Sequence, residues 1–228
     1  MARMARVVVP YYPRHVTQRG NRRQKTFFST ADYQTYIDLL VKAKATAGVE
    51  VWAYCLMPNH VHLAVVPEQG ASLADFFSEA HRQYTLHINR RKGWRGHLWQ
   101  ERYHSFVMDE QHLLAAVRYI ELNPVRAHLC PQPEQWRWSS VHAHLARKDD
   151  GLVTVAPMLN RIEDWRRYLA EQDPEETVEQ IRKHTRTGRP MGENEFLDKL
   201  EQLTGQTLRK GKPGPKTIVP TQPMVRIK

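Results

Sequence analysis

The chain has 228 residues, of which 41% are hydrophobic and 25% charged, which is enough apolar material for a buried core and argues against global disorder. Its mean hydropathy of −0.64, without an apolar run near ~20 residues, excludes a membrane-spanning protein. The two cysteines, Cys55 and Cys130, exclude a disulfide framework and a cysteine-based zinc cluster. We therefore expect a cytoplasmic protein with no membrane partner.

Positive charge dominates the sequence, since 34 Lys and Arg against 24 Asp and Glu give a net charge of +10. Residues 1–26 hold seven of these cations and no acidic residue, and residues 209–228 hold six and no acidic residue. Such a surface concentrates polyanions, so we expect a nucleic-acid partner, with a merely soluble basic protein as the alternative. The densest cluster surrounds Gly20-Asn21 and comprises Arg14, Arg19, Arg22, Arg23 and Lys25.

The first two-thirds of the chain alternate between strand-like and helix-like patterns. The first helix opens with Ser29 and Asp32, which resemble a capping box, and closes at Gly48. Pro58-Asn59 is a turn signal between two β-rich runs, which predicts a hairpin. The predicted elements are strands at Arg6–Val9 and His15–Gln18, a helix between Ser29 and Gly48, strands at Val49–Met57 and His60–Val66, a helix from Ser72 to Lys92, a strand at Leu98–Met108 and a helix from Asp109 through Asn123, where Pro124 stops it.

The order β-α-ββ-α-β-α predicts an α+β fold, an antiparallel sheet with helices on one face, of ferredoxin-like type. A boundary between structural regions is predicted at Lys148-Asp149-Asp150-Gly151. We predict a first domain at residues 1–147, a small helical region at 148–205 and a basic, flexible tail at 206–228. The helical region contains predicted helices at Ile162–Glu171, Glu175–Thr185 and Glu193–Leu203, the last ending at Gly205.

His60-Val61-His62 is the first candidate for chemistry. In a strand, side chains at i and i+2 point to one face, so both imidazoles project together, a start on a divalent-metal site. The alternative is a pair of surface or core histidines. A second pair, His142-Ala143-His144, lies in a predicted helical stretch, where i and i+2 diverge, so metal binding is not favoured there.

Tyr119 and Asn123 are the second candidate, because residues four apart share a face of a helix. The apolar stripe of this helix runs through Leu113, Val117 and Ile120 and leaves Tyr119 beside the core. The alternative is a tyrosine packed at the edge of the core and an asparagine that ends the helix.

In combination these segments resemble the REP-associated tyrosine transposases, which belong to the single-tyrosine HUH (His, hydrophobic, His) transposases. The similarity extends in order over most of residues 5–215, and the implied fold is that of an RRM-like HUH nuclease. The segments that carry it are His15–Asn21, Pro58–Leu63, Trp99–Tyr103, Val117–Ala127, Trp136–Ser140 and Gly188–Gly192 with Glu195-Phe196.

The resemblance implies roles for individual residues. Tyr119 is implied as the nucleophile, with His60, His62 and Asn123 as metal ligands. The implied reaction is cleavage of single-stranded DNA through a covalent 5′-phosphotyrosine, followed by strand transfer. A phenol with an ordinary pKa near ~10 is a poor nucleophile, so a cation on the scissile phosphate assists it. The implied metal is Mg²⁺ or Mn²⁺, because two imidazoles and an amide oxygen leave positions open for phosphate; zinc is the alternative.

The resemblance also implies single-stranded DNA with REP-like hairpins as the partner, and we expect a monomer, with a dimer as the alternative. Two other functions stay open: a catalytically silent hairpin-binding regulator, and a metal-dependent phosphoesterase without a covalent intermediate. Candidate DNA contacts are Arg19, Asn21, Arg22, Arg23, Arg102, Arg189, Arg209, Lys210 and Lys212.

Overall fold

A four-stranded antiparallel sheet forms the centre of the computed structural model, which describes residues 8–209. The strand order is β2-β3-β1-β4. β1 pairs with β3 on one side and with β4 on the other, and β2 and β3 form the predicted hairpin. The α+β fold class predicted from the sequence is confirmed. The strands are β1 (Arg14–Arg19), β2 (Val49–Met57), β3 (His60–Pro67) and β4 (His104–Val107).

Two long helices and several short ones surround this sheet. Within residues 8–209, no helix combines the length and apolarity needed to cross a bilayer. The helices are α1 (Thr30–Ala47), α2 (Ser72–Lys92), α3 (Glu110–Glu121), α4 (Asn123–Arg126), α5 (Val141–Ala146), α6 (Ala156–Leu159), α7 (Trp165–Ala170), α8 (Glu175–Thr187) and α9 (Asn194–Thr204).

Local sequence determines both ends of α1. The Asp32 carboxylate accepts hydrogen bonds from the backbone N–H groups of Phe28 and Ser29 at 2.8 and 2.9 Å, as the capping pattern predicts. Gly48 ends the helix with φ of 61°, a left-handed conformation that residues with a Cβ seldom adopt. The Arg91 guanidinium, near the end of α2, donates to the same carboxylate at 2.7 Å and ties the two long helices together.

The helices cover both faces of the sheet, which corrects the prediction that they lie on one face. α1 and α2 pack on the face that contains Val16, Leu63 and Val65. α3 packs on the opposite face, against Cys55 and Ala64. Alternate residues of β3 are buried on both sides, since every residue from Val61 to Val66 is buried, and each face therefore needs its own cover.

Several element boundaries differ from the sequence prediction, and three of the differences are informative. The strand predicted at Leu98–Met108 is reduced to β4, because Glu101 has φ of 56° and interrupts extended backbone. α3 ends at Glu121, and Pro124 lies in the first turn of α4, where its missing N–H costs nothing. Of the strand predicted at Arg6–Val9, Val8 and Val9 lie outside regular structure, and the first two residues fall outside the described range.

The C-terminal helices pack against the sheet and α3. Residues of α7 and α8, such as Trp165 and Ile181, belong to the same hydrophobic cluster as Val117 and Phe106, and Leu200 of α9 packs against β4. The division at residue 147 stays a prediction, and the predicted tail lies almost wholly outside the described residues. The predicted apolar stripe of α3 is confirmed at Val117 and Ile120, which are each 0% exposed, as are Val61 and Leu63 of β3.

Candidate active site

A cavity of about 460 Å³ opens on the α3 face of the sheet, where β1, β3, α3 and α8 meet. It brings together residues separated by up to 169 positions along the chain, from Thr17 to Arg186. Its lining is polar and cationic, with two of the candidate histidines and the candidate tyrosine among the contributors. The lining residues are Thr17, Arg19, Arg23, His60, His62, Gln100, His104, Tyr119, Arg182, Thr185 and Arg186.

His60 and His62 both reach this cavity because side chains two residues apart in β3 point to the same face of the sheet. His60 pairs with Arg19 of β1, and His62 pairs with Thr17, so these four residues share one face of the sheet. The two imidazole rings lie 4.9 Å apart between centroids, and the His62 ring lies 5.7 Å from the Tyr119 ring. The strand period thus brings the two histidines together, as the spacing predicts.

Both imidazoles are neutral at neutral pH because of their surroundings. Burial, and then the charge of Arg19, lower the pKa of His60 to about 3. Burial also lowers the pKa of His62 well below its ordinary value, with the nearby charges acting in the same direction. A neutral imidazole offers a lone pair, so each ring has the protonation state that a metal ligand requires.

A third histidine supports this pair from β1. His15 Nε2 lies 2.9 Å from His62 Nδ1, and the two rings stack with centroids 5.1 Å apart. Burial lowers the pKa of His15 to about 3, so it is neutral too. Its Nδ1 is buried and has no hydrogen-bond partner among residues 8–209. When His62 Nδ1 donates to His15, the lone pair of His62 Nε2 is left for another group.

Two neutral imidazoles fit a divalent cation, and the third ligand has to be something other than a further acidic or histidine side chain. Among residues 8–209, no group of three or more His, Cys, Asp or Glu side chains has an arrangement that could hold a metal. His60 Nδ1 contacts Asn59 Oδ1 at 2.6 Å, which directs its proton to that side and its Nε2 lone pair away. The donor set is therefore nitrogen-rich and incomplete, and it suits Mn²⁺ better than Mg²⁺.

Tyr119 lies at the inner wall of the cavity and is 8% exposed. Its ring packs against the Arg126 guanidinium, 4.3 Å from the ring centroid, and Arg126 also donates to the Tyr119 carbonyl. Asn123 Nδ2 donates to the same carbonyl at 2.9 Å, and among the described residues Asn123 is not part of the cavity lining. The structure thus brings Tyr119 to the histidines, while the Asn123 amide nitrogen faces the helix backbone.

The basic loop after β1 borders the cavity in a strained conformation. Arg22 and Arg23 have φ of 53° and 60°, in the left-handed region that favours glycine. Asn59 Nδ2 holds this loop by donating to the Arg23 carbonyl at 2.9 Å. Asn21 starts the single turn of 3-10 helix in the loop. Arg19 and Arg23 line the cavity, and the Arg22 side chain is exposed beside them.

Arg102, Arg189 and Arg209, three other predicted DNA contacts, are not part of the cavity lining. Arg102 is exposed on the segment before β4. Arg189 donates to the Leu208 carbonyl at 2.6 Å, and Arg209 pairs with Asp198 and Glu201 of α9 at 2.7 and 2.9 Å. These two arginines hold the C-terminal segment in place. Lys210 and Lys212 lie outside the described residues.

Sequence reasoning missed the contribution of α8 to the cavity. Arg182, Thr185 and Arg186 share one face of that helix, since they are three or four residues apart. This spacing is readable in the sequence, but it equally describes a solvated helix face. Only the tertiary packing of α8 on α3 and β4 distinguishes the two.

The second histidine pair has a different environment. His142 and His144 lie on α5, where His142 is exposed and His144 is fully buried. His144 Nδ1 contacts the Glu121 carboxylate at 2.7 Å, and its ring stacks on Trp165 with centroids 4.0 Å apart. The helix period separates the two imidazoles, as the sequence predicts.

Comparison with known proteins assigns the chain to a family. The family model described as "Transposase IS200 like" matches residues 9–123, about half of the chain. This chain belongs to the IS200-like transposase family. The matched region ends at Asn123, so it contains both histidines and Tyr119, whereas α8 lies beyond it.

Two relatives of this IS200-like transposase are informative. A REP-associated tyrosine transposase from Escherichia coli K12 is 25% identical over 127 residues, which cover 55% of this chain and 74% of the relative. A solved structure of a REP-associated tyrosine transposase bound to a REP hairpin has a TM-score of 0.56 at 24% identity, covering 68% of this chain and 89% of that one. The resemblance seen in the sequence is confirmed, and the solved structure supports the fold.

Proposed function

We propose that this IS200-like transposase is a metal-dependent single-stranded DNA endonuclease and strand transferase whose nucleophile is Tyr119. The observation that carries the proposal is the shared cavity, in which the Tyr119 ring lies 5.7 Å from the ring of His62. A tyrosine, two neutral imidazoles and several arginines in one open cavity suit phosphoryl transfer.

His60 and His62 would hold Mg²⁺ or Mn²⁺, with Asn123 as the further ligand that the family resemblance implies. When bound, the cation draws charge from the scissile phosphate and orients it. His15 contributes by holding the His62 ring through the 2.9 Å contact between Nε2 and Nδ1. The Asn123 amide nitrogen donates to the Tyr119 carbonyl, so the amide oxygen is the atom that would bind the cation.

The reaction exchanges one phosphate ester for another. The Tyr119 oxygen bonds to the phosphorus, the bond from phosphorus to the 3′ oxygen breaks, and the phenolic proton is replaced in the balance by the proton of the new 3′ hydroxyl. Because the number of phosphate ester bonds is unchanged, the covalent intermediate retains the energy for rejoining a strand. Transfer to another 3′ hydroxyl reverses these bond changes.

The charge around the cavity favours a nucleic-acid strand over a small phosphate ester. The lining contains four guanidinium groups, which come from Arg19 at the end of β1, Arg23 in the basic loop, and Arg182 and Arg186 on α8. Guanidinium groups bind phosphate in a bidentate manner, so this lining can follow a DNA backbone. A positively charged groove of this kind can track the backbone of a single strand.

We propose a REP-like hairpin as the DNA substrate. The choice of this substrate is supported by the relative whose solved structure is described as bound to a REP hairpin. Arg19 at the end of β1, with Asn21, Arg22 and Arg23 of the basic loop, would contact the strand beside the stem, and Arg102 would extend this contact. We propose a monomeric enzyme, since residues of one chain line the cavity.

Covalent capture tests this proposal. The protein is incubated with Mn²⁺ and a 3′-labelled single strand that contains a REP-like hairpin, and the products are resolved on a denaturing gel. A labelled protein–DNA adduct that is lost in Tyr119→Phe is the expected result. Hairpin binding without an adduct would indicate a silent regulator, and cleavage that survives Tyr119→Phe would indicate a phosphoesterase without a covalent intermediate; either result overturns the mechanism.

A further inference from the structure

The Arg126 side chain contacts both the ring and the backbone of Tyr119. Its guanidinium carbon lies 4.3 Å from the centroid of the phenol ring. The same guanidinium donates through Nη2 to the Tyr119 carbonyl oxygen. Arg126 belongs to α4, beyond the segment that the family model matches, which ends at Asn123. A single side chain thus reaches across the break between α3 and α4 and contacts two separate groups of the proposed nucleophile.

The backbone contact satisfies a carbonyl at the end of a helix. Tyr119 lies in the last turn of α3, where backbone carbonyls lack donors within the helix. Pro124, in the first turn of α4, has no N–H to offer. Two side-chain donors reach the Tyr119 carbonyl instead, Asn123 Nδ2 at 2.9 Å and Arg126 Nη2. A cation is also electrostatically favourable at this end of a helix.

The ring contact restricts the Tyr119 side chain. The imidazoles of His15 and His62 pack against the phenol ring at 74° and 76°, with centroids 6.0 and 5.7 Å away. The Arg126 guanidinium lies over the ring face, where the quadrupole of the ring attracts a cation. A change of χ1 would carry the hydroxyl away from His62 and would break the contact with Arg126. The guanidinium therefore favours the rotamer in which the reacting oxygen faces the cavity.

These contacts distinguish Arg126 from an arginine that lines the cavity. The guanidinium of Arg182, for example, pairs with Glu175 and Glu179 of its own helix. Arg126 is half-buried, and its Nε is buried with no hydrogen-bond partner among residues 8–209. Its guanidinium is directed at Tyr119, through the ring and the carbonyl.

We propose that Arg126 is a positioning residue for strand cleavage, which holds Tyr119 in the rotamer that presents its hydroxyl to the scissile phosphate. This inference rests on the proposed function of Tyr119. Arg126 takes no part in the bond changes, since it gains and loses no proton. The same contacts serve the rejoining step, because the tyrosine oxygen is then the leaving group and has to stay in line with the attacking hydroxyl. Loss of Arg126 should therefore slow the chemical step and leave hairpin binding nearly unchanged.

The test compares Arg126→Met with a matched control, Arg118→Met. Methionine fills much of the space of the arginine stem without its charge or donors. Arg118 lies on α3 and covers a different tyrosine, since its guanidinium carbon lies 4.4 Å from the Tyr168 ring centroid. It also pairs with Glu171 and Asp173 at 2.7 Å each, so its removal disturbs α3 without removing a contact of Tyr119.

The rate of adduct formation is measured in a single turnover at saturating hairpin and Mn²⁺, at a temperature where all variants are folded. For Arg126→Met we expect a rate about 100-fold lower, the usual effect of a misplaced reacting group. For Arg118→Met we expect a nearly unchanged rate. The Kd values for the hairpin, from fluorescence anisotropy, and for Mn²⁺, from its electron spin resonance signal, should change little in both variants. Arg126→Lys retains a cation that can lie over the ring and should recover part of the rate.

A spectroscopic measurement tests the same contact without activity. The chain has nine tyrosines, so fluorotyrosine is introduced at position 119 alone, and its fluorine resonance is recorded in the protein without DNA. In Arg126→Met the chemical shift should move towards that of the unfolded chain, because the ring is no longer held. In Arg118→Met it should stay unchanged.

Three results would overturn the inference: a rate for Arg126→Met equal to that of the unaltered protein, an equal loss of rate in Arg118→Met, or a loss that weaker hairpin binding explains entirely. If the unaltered protein forms no adduct, the proposed function of Tyr119 is wrong instead. The fluorine resonance still reports in that case whether Arg126 holds the ring, so the two failures are distinguishable.

Discussion

The two faces of the sheet are built from alternate residues of the same strands, yet they have different compositions. The face covered by α1 and α2 is a packed core of aliphatic and aromatic side chains, such as Leu63, Phe76 and Tyr84, each 0% exposed. The face covered by α3 and α8 contains the neighbouring residue His62, with Tyr119 and a cavity lined by arginines. A single strand thus stabilises the fold with one set of side chains and positions reactive groups with the other.

The comparison shows that consecutive residues of β3 can have separate roles, one in the stability of the fold and the other in the chemistry of the cavity. His62 and Leu63 are consecutive, but they face the cavity and the core respectively. The core face buries apolar area, which contributes about 25 cal/mol per Å². On the cavity face, burial disfavours the charged forms of the imidazoles and so keeps them neutral. Substitutions on the two faces should therefore have opposite consequences.

The largest expected effect is on the cavity face. His60→Ala removes one of the two neutral imidazoles, and we expect adduct formation with Mn²⁺ to fall by about 1000-fold or more. His60 borders the open cavity, so its removal leaves no new enclosed apolar cavity, and the thermal midpoint should change little. Gel quantification measures adduct formation, and a thermal melt measures the midpoint of unfolding. If the variant loses its fold together with its activity, the cavity face is needed for stability as well, and the proposed difference between the two faces is wrong.

The converse substitution is Leu63→Ala on the core face. The side chain is 0% exposed and packs among other core residues, so its truncation should lower the free energy of unfolding by about 2–5 kcal/mol. Urea denaturation followed by circular dichroism measures this loss. At a temperature where the variant is folded, its rate of adduct formation should lie within about threefold of the unaltered protein, a factor worth less than ~1 kcal/mol. A much slower rate would show that the core face controls the cavity.

Sequence reasoning could predict the features that depend on local periodicity. Ser29, Asp32 and Gly48 define α1 because capping and left-handed termination act over a few residues. The strand period brings His60 and His62 together, and the helix period separates His142 from His144. In each case, the geometry follows from backbone repeats alone.

The remaining features depend on contacts between distant segments. The placement of Arg182 in the cavity requires α8 to pack on α3 and β4, and an isolated amphipathic helix does not specify its partner. Arg209 is engaged because Asp198 and Glu201 of α9 lie beside it. The strand predicted at Leu98–Met108 was shortened by Glu101, whose left-handed backbone no propensity argument anticipates.

A smaller effect concerns acid stability, to which both faces contribute. Burial lowers the pKa of His81, on the α2 side, to about 3, and does the same for His15 on the cavity side. Between that value and an ordinary pKa near ~6.5, the unfolded chain binds more protons than the native one, so stability falls as pH falls through this window. In metal-free protein, His81→Gln should flatten the decline by as much as ~1 kcal/mol per pH unit.

The measurement is urea denaturation at a series of pH values between about 6.5 and 4, in the presence of a chelator. Gln is the appropriate replacement because Tyr36 Oη lies 2.9 Å from His81 Nε2 and needs a partner after the substitution. An unchanged dependence on pH would mean that His81 is not buried in its neutral form. Acid sensitivity would then be confined to the cavity face.

The smallest expected effect compares two exposed arginines on opposite faces. Arg19 lines the cavity, whereas Arg90 lies at the end of α2, beside the groove between α1 and α2. If DNA follows the cavity, Arg19→Gln removes one phosphate contact and reduces the slope of log K against log salt by about 0.7, while Arg90→Gln leaves it unchanged. Fluorescence anisotropy of a labelled hairpin at several salt concentrations measures both slopes. Both substitutions remove the same charge, so equal slopes would indicate that net charge alone, with no preferred face, attracts the DNA.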